Sequence, residues 1–442
     1  MKLWNKKVAG ATVLTLSMLL AACSGDDEAT DTGGDTGGDT GGDAGGEEEQ
    51  VTITYAAGVD VTGATEALIA AFEEQNPNIN VEYREMPADT GASHDQYVTM
   101  FSSQSAEVDV FDADVIWPAE FAQGQYALEL DRYIEADGID MEQYFPGTVA
   151  SGNFNGRQYA MPKFTDAGLL YYRTDIVSED QVPTTWDELF EAAGTLQGEG
   201  GTEFGYLMQA NQYEGMITNA IEFIASHGGQ VVDENNEVVV NSPETIAGIQ
   251  KMIDFVNSDF VPSNILSFQE TETNNAWVGG QAVFARNWPY MQSTSNDEEA
   301  SEVAGNVGFA VLPAGEGGTN AATLGGWMSM INRYSEHPDE AWEFVKFMTG
   351  EEGQKISAVE GGRAPTIAAL YEDSEVQDAA ALFANEQFVE TLQNAVPRPV
   401  SPIYPRISDI MQVQLSQALA GEITAEEAAA NMEAEIMAAM EE

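Results

Sequence analysis

The alternation of apolar and polar positions first marks a strand at Val51–Tyr55, where valine, isoleucine and tyrosine alternate with threonine. From Thr62 to Glu74 the spacing lengthens to that of a helix, with Thr65, Leu68, Ile69 and Phe72 on one face and Asn76-Pro77 as the stop. Ile79–Arg84 reads as the next strand, His94–Ser103 as a helix and Val108–Val115 as a third strand. A strand–helix–strand rhythm of this kind predicts α/β layers around a mostly parallel sheet. Further along, Pro183–Glu188 opens a helix in which Thr185 is the N-cap and Glu188 completes a capping box. Gln230–Val240 alternates as a hairpin around Asn235-Asn236, and Asn241-Ser242-Pro243 starts the following helix. Glu340–Thr349 is amphipathic and offers Trp342, Phe344, Val345 and Met348 for burial; the Ala- and Glu-rich end, Ala425–Met440, is helical. Residues 51–442 exceed what one ordinary core holds, so two lobes are expected.

The start of the chain departs from this pattern. Lys2, Lys6 and Lys7 precede an uncharged apolar run, Val8–Leu20, and Ala21-Ala22 lead into Cys23. The run is too short to span a bilayer comfortably, which takes about 20 apolar residues, so residues 1–22 read as an export signal that is removed. Leu20-Ala21-Ala22-Cys23 resembles a bacterial lipobox, which implies cleavage before Cys23 and lipid attachment to its thiol. The chain has no other cysteine, so disulfides play no part in its stability. Residues 23–50 carry repeated GGDT and an acidic end, with no aromatic or β-branched aliphatic residue to bury. They are expected to form a disordered tether with a root-mean-square span of roughly 30 Å.

Charge narrows the partners. Lys and Arg number 16 against 74 Asp and Glu, a formal net charge of −58, and loss of Lys2, Lys6 and Lys7 makes the mature chain more acidic still. Phosphate binding needs clustered cations, so nucleic acid is excluded and an acidic ligand disfavoured. Self-repulsion on this scale is relieved only by salt screening, which points to a halophilic or salt-tolerant host.

Catalytic chemistry is hard to place. The histidines are His94, His227 and His337, and no HExxH, GxSxG, P-loop or zinc-spaced Cys/His pattern occurs. A secreted glycosidase needs only two carboxylates, but among 74 acidic residues a pair can always be found. Asp112 and Asp114 have DxD spacing on a strand, which simply places both on one face. No catalytic residue, metal or cofactor is expected.

Asp114-Val-Ile-Trp-Pro-Ala-Glu-Phe121 and Lys163-Phe-Thr-Asp-Ala-Gly-Leu-Leu-Tyr-Tyr172 resemble the family 1 extracellular solute-binding proteins, and within them the trehalose/maltose-binding subgroup. His94–Tyr97, Asn211–Gly215, Phe284–Tyr290, Leu324–Trp327 and Arg398–Pro405 carry the same resemblance, which spans nearly all of Val51 to Met440. It implies a two-lobed, periplasmic-binding-protein type II-like α/β fold with the ligand in the cleft between lobes. The chain would cross near Lys163, near Gly305–Ala310 and near Gly361–Ala364. Lobe one is then 51–162 plus 311–360, and lobe two 163–308 plus 365–442. The implied protein is a monomer, held outside the cytoplasm by lipidated Cys23, that delivers a neutral sugar to the transmembrane permease subunits of an ABC importer. A sugar-sensing receptor on the same fold is the alternative, ahead of a glycosidase.

A neutral disaccharide is bound by carboxylates that accept from paired hydroxyls and by aromatic rings over the apolar faces of the pyranoses. By position in the matching stretches, Asp60, Asp114 and Asp166 are expected as acceptors, Trp288 and Trp327 as stacking platforms, and Arg398 as donor. Gly326 would permit close backbone approach beside Trp327, with Phe164, Tyr213 and Glu214 as further candidates. Arg398 could instead pair with Asp409. Trp117, Trp186, Trp277, Trp342, Tyr171 and Tyr172 are expected to pack. Ser93 stands where relatives often have arginine, which bears on which disaccharide is bound.

Overall fold

The computed structural model describes residues 50–441 except 61, 88 and 234–236. The signal, Cys23, the tether up to residue 49 and the Asn235-Asn236 turn lie outside the described residues. Eleven strands are described, β1 (Val51–Gly58), β2 (Ile79–Met86), β3 (Val110–Asp114), β4 (Asn153–Phe154), β5 (Arg157–Gln158), β6 (Ala160–Ala167), β7 (Leu169–Arg173), β8 (Phe204–Leu207), β9 (Ala282–Asn287), β10 (Val307–Val311) and β11 (Leu324–Ile331). They form a five-stranded sheet in the order β2-β1-β3-β11-β6, a four-stranded sheet in the order β10-β7-β9-β8, and the small ribbon β4-β5.

The expected mostly parallel sheet is corrected to two mixed ones. β1 pairs parallel with β2 and β3, because helices Ala64–Gln75 and Thr90–Ser102 provide the crossovers that parallel pairing requires. β11 returns only after the whole second sheet has been laid down, and it enters antiparallel between β3 and β6. In the second sheet only β8 and β9 run parallel.

Each sheet has its own core. Strand alternation sends Val110 to one face of the first sheet, against Phe72, Trp342 and Phe344, and Phe111 to the other, against Tyr97, Phe101 and Phe121. The second core gathers Trp186, Tyr206, Phe223, Phe255 and Trp277, and it includes Met411, Leu415, Met432 and Ile436 from the two C-terminal helices, Tyr404–Leu419 and Ala425–Glu441. Local signals set the helix starts. Thr185 accepts from the Glu188 amide while the Glu188 carboxylate accepts from the Thr185 amide, and Ser242 caps the helix whose first residue is Pro243.

The chain leaves the first sheet at Gly168, between β6 and β7, downstream of the passage expected near Lys163. It returns between Val311 and Leu324, again later than expected, because β10 completes the second sheet and Ala314 still bridges to Thr185 there. After helix Glu351–Gly361, Ala364 bridges to Thr165 on β6, Ile367 packs in the first core and Tyr371 in the second.

Candidate functional site

The site is built around the C-terminal end of β3. Asp114, Trp327 and Phe164 share one rung across β3, β11 and β6. Just beyond this rung the register shifts, Met328 pairing with Pro162, so Lys163 is the extra residue of a bulge. The Lys163 ammonium turns inward, donating to Asp112 and to the Tyr55 hydroxyl, both at 2.6 Å. Burial pulls Lys163 below its ordinary pKa, with Asp112 opposing. Gly326 has φ of 112°, and a Cβ there would stand 2.4 Å from the Phe164 carbonyl oxygen, so only glycine fits beside Trp327. Trp327 is half-buried, its ring 5.6 Å from that of buried Trp117 at 86°.

Arg398 joins elements far apart in sequence. Its Nη1 donates to Glu214 Oε1 at 2.7 Å and its Nη2 to Asp114 Oδ1 at 3.0 Å; Asp409 is not its partner. Glu214 opens helix Glu214–Ser226, where the helix dipole favours an anion. It also accepts from Tyr404 at 2.6 Å and from the Ser408 hydroxyl. Burial works against the Arg398 charge, but Asp114 and Glu214 more than offset it and hold the guanidinium above its ordinary value. Burial pushes the Asp114 carboxyl up, and Arg398 offsets this only in part. Among the described residues, Arg398 Nε is buried without a hydrogen-bond partner.

Asp166, half-buried on β6, accepts no hydrogen bond among the described residues. Burial raises its pKa to about 7, against the pull of Arg363 and Arg286 and with a further push from Asp114. Gly325 lies opposite it in the ladder, and a Cβ on Gly325 would meet the Trp288 ring at 3.0 Å and Asp166 at 3.2 Å. Trp288 is half-buried; its indole nitrogen donates to Glu270 at 3.3 Å, and Glu270 also accepts from the Tyr213 hydroxyl at 2.7 Å.

Asp60 is placed differently from the other two carboxylates. Its oxygens accept from the Thr62 amide and hydroxyl and from the Thr65 amide, and Arg363 Nη2 stands 3.2 Å away. Burial disfavours its charge, yet these donors hold the carboxyl well below the usual range. It serves the start of helix Ala64–Gln75 and has little acceptor capacity left. Arg363 also lies over Phe164, 5.3 Å from the ring centroid.

The contacts gather the ten expected residues into two groups, with Gly326 beside Trp327 in the first. Asp60 joins Phe164 through Arg363, and the rung carries the connection to Asp114, Arg398 and Glu214; Asp166 meets Trp288 at Gly325, and Glu270 leads on to Tyr213. Glu270, Arg363, Arg286, Glu222, Tyr404 and Ser408 were not anticipated. In a chain so poor in cations, arginines inside matching stretches were a usable signal: Arg286 lies within Phe284–Tyr290, and Arg363 at an expected passage. Ser93 is buried and donates to the Pro87 carbonyl at 2.7 Å. Trp117, Trp186, Trp277, Trp342, Tyr171 and Tyr172 are buried, as their packing role required. Among the described residues no His, Cys, Asp and Glu cluster is placed to hold a metal, and no helix is long and apolar enough to cross a membrane.

Comparison with known proteins gives this arrangement a context. A probable ABC transporter-binding protein of Deinococcus radiodurans is 34% identical over 384 residues, covering 81% of this chain and 90% of that protein. The structure of maltose-bound T. maritima MalE3 superposes with a TM-score of 0.82 at 37% identity, over 88% of this chain and 99% of that one. The GacH receptor of Streptomyces glaucescens, solved unliganded and with acarbose, gives a TM-score of 0.75 at 25% identity, over 88% and 97% of the two chains. Residues 58–355 match the family described as bacterial extracellular solute-binding protein. With its two-lobed α/β fold and this span of similarity, the chain belongs to the bacterial extracellular solute-binding protein family of ABC transport systems.

Proposed function

We propose that the chain captures a neutral disaccharide or short oligosaccharide of the maltose or trehalose type and delivers it to the permease subunits of an ABC importer. The observation that carries this reading is a pair of half-buried indoles, Trp288 meeting Asp166 at Gly325 and Trp327 two residues along the same strand from Gly325, with Asp166 accepting no hydrogen bond among the described residues. Rings that cover the apolar faces of a pyranose and an acceptor for its hydroxyls are what a neutral sugar needs. The 37% identity with a maltose-bound structure supports the same class.

In this reading lobe one is built on the first sheet and lobe two on the second, close to the division 51–162 plus 311–360 and 163–308 plus 365–442. The strand passages act as the hinge, and ligand held from both sides favours the closed form. Cys23 anchors the monomer outside the cytoplasm through lipid, and the acidic tether lets it reach the permease.

Calorimetric titration with maltose, trehalose and maltotriose, beside free amino acids as controls, tests the reading. Saturable heat with at least one sugar is expected, and Trp327→Ala should weaken it roughly three- to tenfold through lost stacking. Binding of amino acids with no response to any sugar would sink it.

A further inference from the structure

Beneath the indole of Trp288 lies an ion pair shut off from solvent. Arg286, on β9, and Glu222, on helix Glu214–Ser226, have side chains only 1% exposed. Arg286 Nε donates to Glu222 Oε2 at 2.8 Å and Nη2 to Oε1 at 2.5 Å, while Nη1 donates to Gln209 Oε1 at 3.0 Å. The guanidinium carbon sits 4.1 Å from the centre of the Trp288 ring, so one face of the indole is covered by the cation.

The same pair touches both early passages between the sheets. Gly168 stands so close that a Cβ there would be 2.1 Å from Glu222 Oε1 and 2.7 Å from Arg286 Nη2. On the return passage, the Thr323 amide donates to Glu222 Oε1 at 3.4 Å, and the Thr323 hydroxyl donates to the Thr218 carbonyl at 2.7 Å. A buried ion pair adds little stability over apolar side chains of the same volume. Its planar, directional hydrogen bonds do supply what apolar packing lacks, a fixed orientation.

We propose that Glu222 and Arg286 are positioning residues for the sugar site, fixing the Trp288 ring from behind and tying it to the passages at Gly168 and Thr323. Trp288 then keeps one attitude relative to the hinge while the lobes move, and a pyranose meets a ring already oriented. This inference rests on the sugar reading.

The test uses the chain with maltose as probe. Glu222→Gln keeps the shape and removes the charge, and should weaken maltose binding roughly three- to tenfold, the range of one aromatic contact. In a Trp288→Ala background the same change should have no effect on affinity, because the residue acts through the indole. Equal losses in both backgrounds, or no loss in either, would overturn the proposal. If Glu222→Gln fails to fold, the joint exchange Glu222→Leu with Arg286→Met retains an apolar packing and is judged by the same two comparisons. A ligand-free measurement separates this proposal from the sugar reading: fluorine resonances of 5-fluorotryptophan-labelled protein, with Trp288 assigned by Trp288→Phe. Failure of the wild type to bind any neutral sugar would remove the reading. The Trp288 resonance should still shift or broaden in Glu222→Gln, and an unchanged resonance would dismiss the positioning role by itself.

Discussion

Asp166→Asn removes a carboxylate that burial holds well above its ordinary range. Its pKa is raised from 3.8 to about 7, so the folded state binds a proton that the unfolded chain releases at lower pH. The stability associated with this group is therefore fully present below about pH 4 and is lost as pH rises through about 7. At about 1.4 kcal/mol per pH unit the gap corresponds to at most about 4 kcal/mol, and solvent reaching a half-buried side chain reduces it to roughly 2 kcal/mol. The assay is urea unfolding of both proteins, without ligand, in constant molar salt across this pH range. The wild type should lose roughly 2 kcal/mol relative to the asparagine variant between about pH 4 and about pH 8. Maltose hydroxyls donating to the ionised carboxylate would favour its charged form, so wild-type affinity should climb from about pH 6 to about pH 8 while the variant stays flat. Stability curves that run parallel would refute the desolvation argument.

Arg398→Ala leaves Asp114 and Glu214 without their shared cation and should lower unfolding stability by about 3 kcal/mol; a variant as stable as wild type would show that the bridge contributes nothing. Melting temperature should climb as salt goes from 0.1 to 1 M and the Debye length falls from about 10 to about 3 Å, and a flat profile would contradict the repulsion expected at −58. Cys23→Ser should abolish incorporation of labelled fatty acid, and a mutant that is still labelled would dismiss the lipid anchor. Saturating maltose should reduce the radius of gyration measured by small-angle scattering; superimposable curves would count against lobe closure.

Much of the fold could be read from local pattern because its causes are local. The helix that begins at Ala64 has Thr65, Leu68 and Phe72 buried, the stripe its spacing required, and the Thr185–Glu188 cap is complete within four residues of chain. The antiparallel return of β11 was invisible, since it depends on when the second sheet is finished and not on anything in Leu324–Ile331 itself. The site divides in the same way. Asp60 serves amides two and five residues away, a pattern short enough to be anticipated as a cap. Asp114 and Arg398 are separated by 284 residues, and Arg286 and Glu222 by 64; no periodicity links residues at such distances. The resemblance brought Asp114 and Arg398 into one group, but their salt bridge emerged only from the folded chain. Lys163 marked an expected passage, whereas its folded role is to fill a bulge and neutralise Asp112.

That bulge constrains how the binding preference of such a protein can drift. Side chains on a strand alternate between faces, so a register slip of one residue sends each to the opposite side. Deleting Lys163 would remove the slack between Phe164 and Pro162 and force β6 and β11 to choose between the Asp114–Trp327–Phe164 rung and the pairs that follow it. In the proposed reading, substitutions within the rung retune which sugar face is met while leaving the ladder intact. Insertions and deletions beside it cannot, so new specificities on this scaffold should arise by exchanging side chains and not by changing strand length.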